Sequence, residues 1–295
     1  MQYKVFIQSN DEQHVGALVA AYALKRNSRH ADKFDVEIMN YRDFPWLDAK
    51  IGQKFLRGAE HRVWEPNDLQ SFTPLRFMPP KLMNYEGRSI VIDPDCFAIG
   101  DIWDLFTRDM QGKAVMCRVR PAFKDLPAYR ASSVMLLDNA KLKHWDAEQT
   151  FNELFEFKKD YLQWVKLGYE PDETVGVLED YWNDLDRLTP ETKILHNTYR
   201  RTQPWKTGLP INYTVRQKKS GSLPKEAIKS LKKWLNLGKP RVYERHPDPK
   251  QEQLFFDLLR ECLLKGIVTE TMLRQEMAAD HVRHDALQLC QQRAA

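Results

Sequence analysis

The chain has 295 residues, of which 42% are hydrophobic and 29% charged, and it carries a net charge of +4. That size and balance fit one large globular domain, or a domain with an appendage, and exclude a disordered or fibrous chain. The charge excess is too small to demand a nucleic-acid partner, and no window reaches the roughly 18–20 apolar residues of a membrane helix.

Residues 3–8 read as a first strand, and Met1-Gln2-Tyr3-Lys4-Val5 lacks the layout of a signal peptide, so cytoplasmic residence is the expectation. Ser9-Asn10-Asp11 follows, and then Val15, Leu18, Val19, Tyr22 and Ala23 recur on one helical face. Residues 34–39 alternate as a second strand, so the chain opens as a βαβ unit. Residues 41–83 are rich in aromatics, prolines and charge, and predict loops and short helices. Residues 114–117 and 133–137 read as further strands, 141–168 as helix, and 193–195 as a short strand ending at His196. The four cysteines (Cys96, Cys117, Cys262 and Cys290) lack metal-ligand spacing and read as reduced thiols.

The stretch Ile90-Val91-Ile92-Asp93-Pro94-Asp95 is an apolar strand running into two carboxylates. Open α/β sheets place their ligands beyond such carboxyl ends. Hard oxygen donors there suit a magnesium- or manganese-type ion bridging to a diphosphate. After it, Asp101 can cap a short helix over Ile102-Trp103-Asp104-Leu105-Phe106.

Three elements, in order, carry a family resemblance. The segment 88–106, the strand Ser133-Val134-Met135-Leu136-Leu137 and the stretch from His196 to Pro204-Trp205 are together similar to family-8 glycosyltransferases over residues 3–206. The resemblance implies a GT-A fold, a Rossmann-like mixed sheet flanked by helices. It also implies sugar transfer from a nucleotide donor, expected to be UDP-linked, with retention of configuration. Manganese or magnesium would be held by Asp95 and His196, with Asp93 on the metal or on the donor ribose. Asn10 and Asp11 would meet the nucleoside, Arg88 the donor, and Ser132 and Ser133 the donor sugar. Asp172 or Glu173 would face the reacting sugar. The family's diphosphate lysine is replaced by Gln203, so Arg200, Arg201 or Lys206 would supply the cation. The acceptor would be a saccharide, a glycolipid or a small molecule.

From about residue 216 the composition turns basic, and residues 216–295 read as a helical extension of a catalytic domain over 1–215. The helix pattern at 222–237 would turn a basic face to an anionic membrane or a phosphorylated glycolipid acceptor, against the commoner arrangement in which its apolar stripe packs on the domain and its lysines face water. Leu254, Phe255, Leu258, Leu259, Cys262 and Leu263 form an apolar stripe on a later helix, and Asp280 to Asp285 reads as a solvated helix face. Two other enzymes are argued against. A phosphatase of the haloacid-dehalogenase type wants a small hydroxyl or valine where Phe97 stands, and a nucleotidyltransferase wants a Gly-rich basic loop where Gln8-Ser9-Asn10-Asp11 stands. A non-catalytic nucleotide-sugar-binding pseudoenzyme on the same fold remains the alternative.

Overall fold

The computed structural model describes residues 2–66, 68, 71–122, 127–212 and 241–292. In chain order the strands are β1 (Tyr3–Ser9), β2 (Asp35–Asn40), β3 (Lys54–Arg57), β4 (Glu60–Val63), β5 (Arg88–Ile92), β6 (Cys96–Ala98), β7 (Val115–Arg120), β8 (Tyr129–Asp138), β9 (Val175–Val177), β10 (Asp184–Leu185) and β11 (Ile194–His196). Six of them form one sheet in the order β2-β1-β5-β8-β7-β9. The pairs β1–β2, β1–β5 and β7–β9 are parallel, whereas β8 runs antiparallel to both β5 and β7. The mixed sheet flanked by helices is the architecture the sequence called for.

Strand alternation explains why β5 reads as an unbroken apolar run. It lies between β1 and β8, and its side chains point alternately into two cores. Ile90 and Ile92 join Val5 and Ile7 under the helix α1 (His14–Arg26), while Val91 joins Phe6 and Met135 on the other face. That second face is filled by aromatic side chains such as Trp64, Phe77, Trp145 and Phe151.

The βαβ opening is present, and the predicted stripe on α1 divides by its packing. Val15, Val19 and Ala23 are buried. Tyr22 instead reaches the C-terminal helix Pro249–Leu264, where its hydroxyl donates to Glu261 at 2.6 Å. On that helix Phe255, Leu258, Leu259 and Cys262 are buried as expected, together with Phe256. These residues belong to the same core as β1 and β5. The basic stretch at 222–237, for which a membrane contact was the expectation, lies outside the described residues, and no helix among the described residues is long and apolar enough to cross a membrane.

Two local expectations differ from the structure. The continuous helix over 141–168 is broken into Ala147–Phe155 and Tyr161–Val165. Asp146 and Asp160 each cap a helix start by accepting backbone N–H groups, and Phe157 sits at a φ of 58° between the two. Within 41–83, β3 and β4 form a hairpin turned at Gly58 and Ala59, both at positive φ, as a tight two-residue turn requires.

Gly16 on α1 positions the future site. A Cβ there would come to 2.8 Å of the Pro94 carbonyl oxygen, so the helix rests directly on the Asp93-Pro94-Asp95 turn. Alanine at this position gains about 1 kcal/mol in helix propensity but incurs an overpacking cost of about 1–3 kcal/mol. The expected outcome for Gly16→Ala is a net loss of stability in urea unfolding together with weakened metal binding at the turn. Unchanged values would show that this contact is not a close one.

Candidate active site

β1 and β5 end side by side, and the backbone of Asp93 extends the β5–β8 ladder by donating to the Ser133 carbonyl at 3.0 Å. The chain then turns at Pro94 into β6, which pairs antiparallel with β11 so that Cys96 lies opposite His196. This second, three-stranded sheet brings His196 to the aspartate pair. His196 Nε2 lies 3.2 Å from Asp95 Oδ1 and 3.9 Å from Asp93 Oδ2. Behind it, Trp205 is buried against Phe97 and Phe255, so the Pro204-Trp205 end of the late motif is anchored in the core.

The imidazole is oriented from behind. Its Nδ1 meets Asn183 Oδ1 at 2.8 Å, and Asn183 Nδ2 donates to Ser133 Oγ at 3.0 Å. An Nδ1–H donated to Asn183 leaves Nε2 as the ligating nitrogen. Asp95 Oδ1 is buried and meets only His196 Nε2, while Oδ2 accepts from Gln203 Nε2 at 3.1 Å. Cys96 completes a group with Asp95 and His196 whose potential ligand atoms lie within 4.8 Å of one another. A carboxylate oxygen that meets only an imidazole whose second nitrogen is secured belongs to a donor set that fits a divalent cation. Cys96 escaped the sequence reading because its neighbour in space is a distant strand and not a nearby cysteine.

Asp93 is held differently. Arg76 grips it in a fork, Nε donating to Oδ1 at 2.9 Å and Nη2 to Oδ2, and Gln8 donates to Oδ1 as well. Arg76 also donates to Ser132 Oγ at 2.9 Å. Both Asp93 oxygens are therefore engaged by protein, whereas Asp95 and His196 belong to the group of side chains that could hold an ion. Sequence reading missed Arg76, which lies in the weakly periodic stretch between β4 and β5. Burial pushes the Asp93 carboxyl up, against the opposing pull of Arg76. Burial also opposes a charged imidazole at His196. The adjoining Cys96 and Asp95 outweigh it and hold His196 well above the usual histidine value. In the neutral range Asp95 is the effective partner, because burial pushes the Cys96 thiol up to about 11.

These groups open into a cleft of about 360 Å³, whose walls also include Ser132, Ser133, Arg200 and Gln203. Ser132 Oγ donates to the Val165 carbonyl at 2.6 Å. Other expected residues lie elsewhere. Arg88 sits at the opposite end of β5, where its guanidinium donates to the carbonyls of Phe106 and Arg108. Arg201 pairs with Glu244. Lys206 is fully buried, its amine 3.7 Å from Glu12, and burial lowers its pKa. Asp172 and Glu173 are exposed and do not line the cleft, and Asp172 pairs with Arg130. Asn10 caps the turn before α1 by accepting from the Gln13 backbone at 3.2 Å. Asn10 and Asp11 line a separate hollow of about 320 Å³ with Asn40, Tyr41 and Arg42.

No protein-family model and no curated protein matches the chain. Among solved structures it is similar to the apo-form glycosyltransferase GlyE of Streptococcus pneumoniae, with 16% identity and a TM-score of 0.49 over 84% of this chain and 66% of that one. The galactosyltransferase LgtC in complex with donor and acceptor sugar analogues is similar over 77% of this chain and 94% of that one, with 11% identity and a TM-score of 0.47. Mouse xyloside xylosyltransferase 1 is similar over 68% and 99%, with 16% identity and a TM-score of 0.45. The chain spans just under two thirds of the length of the GlyE chains it matches. At such identities the likeness concerns the course of the chain and says nothing of which residues react.

Replacing Arg76 with Met strands a buried carboxylate. Arg76→Met is expected to lose about 3 kcal/mol at neutral pH, with part of the loss regained as pH falls and Asp93 takes up a proton. Urea unfolding at two pH values checks both the size and the sign. The raised His196 pKa has its own consequence. Its ion pair with Asp95 contributes stability that is present below the ordinary histidine value and is lost as pH rises through the raised one. A metal must therefore expel a proton, so Mn²⁺ affinity should rise with pH and binding should release about one proton. Calorimetry in buffers of different ionisation enthalpy measures this, and proton-neutral binding would contradict the assignment of His196 as a ligand.

Proposed function

We propose that the protein is a metal-dependent glycosyltransferase that moves a sugar from a nucleotide-diphosphate donor, UDP-linked, to a saccharide or other hydroxyl acceptor. The observation that carries the reading is the convergence of Asp95 and His196 in the wall of a cleft lined by cations and hydroxyls, with Asp95 Oδ1 met by His196 Nε2 alone. Such an arrangement suits a diphosphate bridged to a divalent ion, manganese or magnesium.

The chain's own residues divide the work. Asp95 and His196 would hold the ion, which when bound supplies Lewis-acid neutralisation of the leaving diphosphate. Arg76 and Gln8 engage the oxygens of buried Asp93, so that Asp93 steadies the turn carrying Asp95. Arg200, which lines the same cleft as His196 and Gln203, is the cation proposed for the diphosphate in place of the family's lysine. Ser133 faces the cleft beside Asp93, where its hydroxyl can orient the donor sugar. Asn10 and Asp11 at the end of β1 are proposed for the nucleoside, in the hollow they share with Tyr41. Retention of configuration and action in the cytoplasm belong to the same proposal.

A second reading has one observation behind it. Gln203, where relatives place a lysine, donates to Asp95 and so occupies the diphosphate clamp with a neutral group. A pseudoenzyme that binds nucleotide sugars without transfer would tolerate this.

The two readings separate in one screen. Asp95→Asn and His196→Ala should each reduce manganese-dependent hydrolysis of UDP-sugars by at least about a hundredfold, with circular dichroism unchanged. Unaltered turnover in either variant would overturn the site. Tight UDP-sugar binding by the unaltered protein, with neither hydrolysis nor transfer across a broad acceptor panel, would assign the pseudoenzyme.

A further inference from the structure

The cleft holds more positive charge than a diphosphate needs. Arg76, Arg120, Arg130, Lys166 and Arg200 line it, against the carboxylates of Asp93 and Asp95. Arg76 is committed to Asp93, and Arg200 lies with His196 and Gln203 at the diphosphate end. The other three collect at the opposite end of the cleft wall formed by β8. Ser133 stands beside Asp93, and Tyr129 lies four residues back along the strand, roughly 13 Å away at about 3.3 Å per residue. The Arg120 guanidinium lies 5.5 Å from the centre of the Tyr129 ring, and the Lys166 amine 4.8 Å from the same centre. Among the described residues neither cation has an acidic partner. Arg130 is fixed by donating to the Leu167 carbonyl at 3.1 Å, and its partner Asp172 has a side chain 94% exposed. An ion pair whose carboxylate is so open to solvent is weakly held, and the half-buried Arg130 can exchange it for another anion.

Like charges gathered on one ring in a concave wall repel unless an anion joins them. The geometry points to a second anion-binding subsite at Tyr129, Arg120, Arg130 and Lys166, which takes a sugar bearing a phosphate or carboxylate group. This rests on the proposed function, since it names the substrate class at the sugar end of the same cleft. Tyr129 supplies a face for the pyranose ring, and the three cations surround its charged substituent. Two sources share this chemistry: an acidic donor sugar and an acidic acceptor.

Calorimetry on the full chain and on the double variant Arg120→Gln/Lys166→Gln tests the subsite with defined probes. Glucose 6-phosphate and glucuronate, compared with glucose, report the acceptor case. UDP-glucuronate, compared with UDP-glucose in the presence of Mn²⁺, reports the donor case. The expected result is a preference of about tenfold or more for the charged member of one comparison, lost in the double variant. Equal binding of charged and neutral sugars in both comparisons, or a preference that survives the double substitution, would overturn the inference. UDP with Mn²⁺ alone is the separate arm for the underlying reading. Failure there defeats the nucleotide-sugar assignment, whereas the free-sugar comparison still reports on the subsite.

Discussion

The antiparallel pairing of β6 with β11 is the constraint on which the site depends. Three residues of β6 follow the Asp93-Pro94-Asp95 turn, and their ladder to β11 sets His196 opposite Cys96. A shift of one residue in that register would turn His196 to the other side of its strand, away from Asp95. The pairing is held from beneath by Phe97, Trp205 and Phe255, which pack edge to face and tilted against one another. The C-terminal helix thus supports the site from the core side without entering the cleft.

Electrostatics then distinguishes two aspartates that look equivalent in sequence. Asp93 is buried, and a carboxylate so placed must be matched by hydrogen bonds and a countercharge. Arg76 and Gln8 provide both, and they fully engage its oxygens. Asp95 instead directs one oxygen to His196 alone. The first carboxylate is built into the fold, while the second shares its oxygen with a single imidazole. The cations Arg120 and Lys166 about Tyr129 extend the same logic to the far wall of the cleft, where the proposed anion subsite lies.

Much of this was legible beforehand where the signal was local. The strand β5 could be read because a central strand buries both faces and so shows an unbroken apolar run. The caps at Asp101 and the stripe at Phe255, Leu258, Leu259 and Cys262 followed from helical geometry. The long helix over 141–168 failed because Asp146 and Asp160 compete for backbone N–H groups, an effect that hydrophobic spacing does not register. The β3–β4 hairpin was hidden in an aromatic stretch whose strands are only four residues each.

Sequence alone determined the βαβ opening and the aspartate pair at a strand end, since each is a short-range pattern of residue types, while the association of that pair with His196 and Pro204-Trp205 came only through the family resemblance. The tertiary structure decided which side chains share a cleft. It turned Lys206 and Arg88 away, brought Arg76, Cys96 and Asn183 in, and gathered Arg120 and Lys166 about Tyr129. The physical reason is that coordination, burial and charge pairing act over a few ångströms in space, whereas the residues they join come from strands and loops far apart in the chain, and only the sheet registers fix that distance.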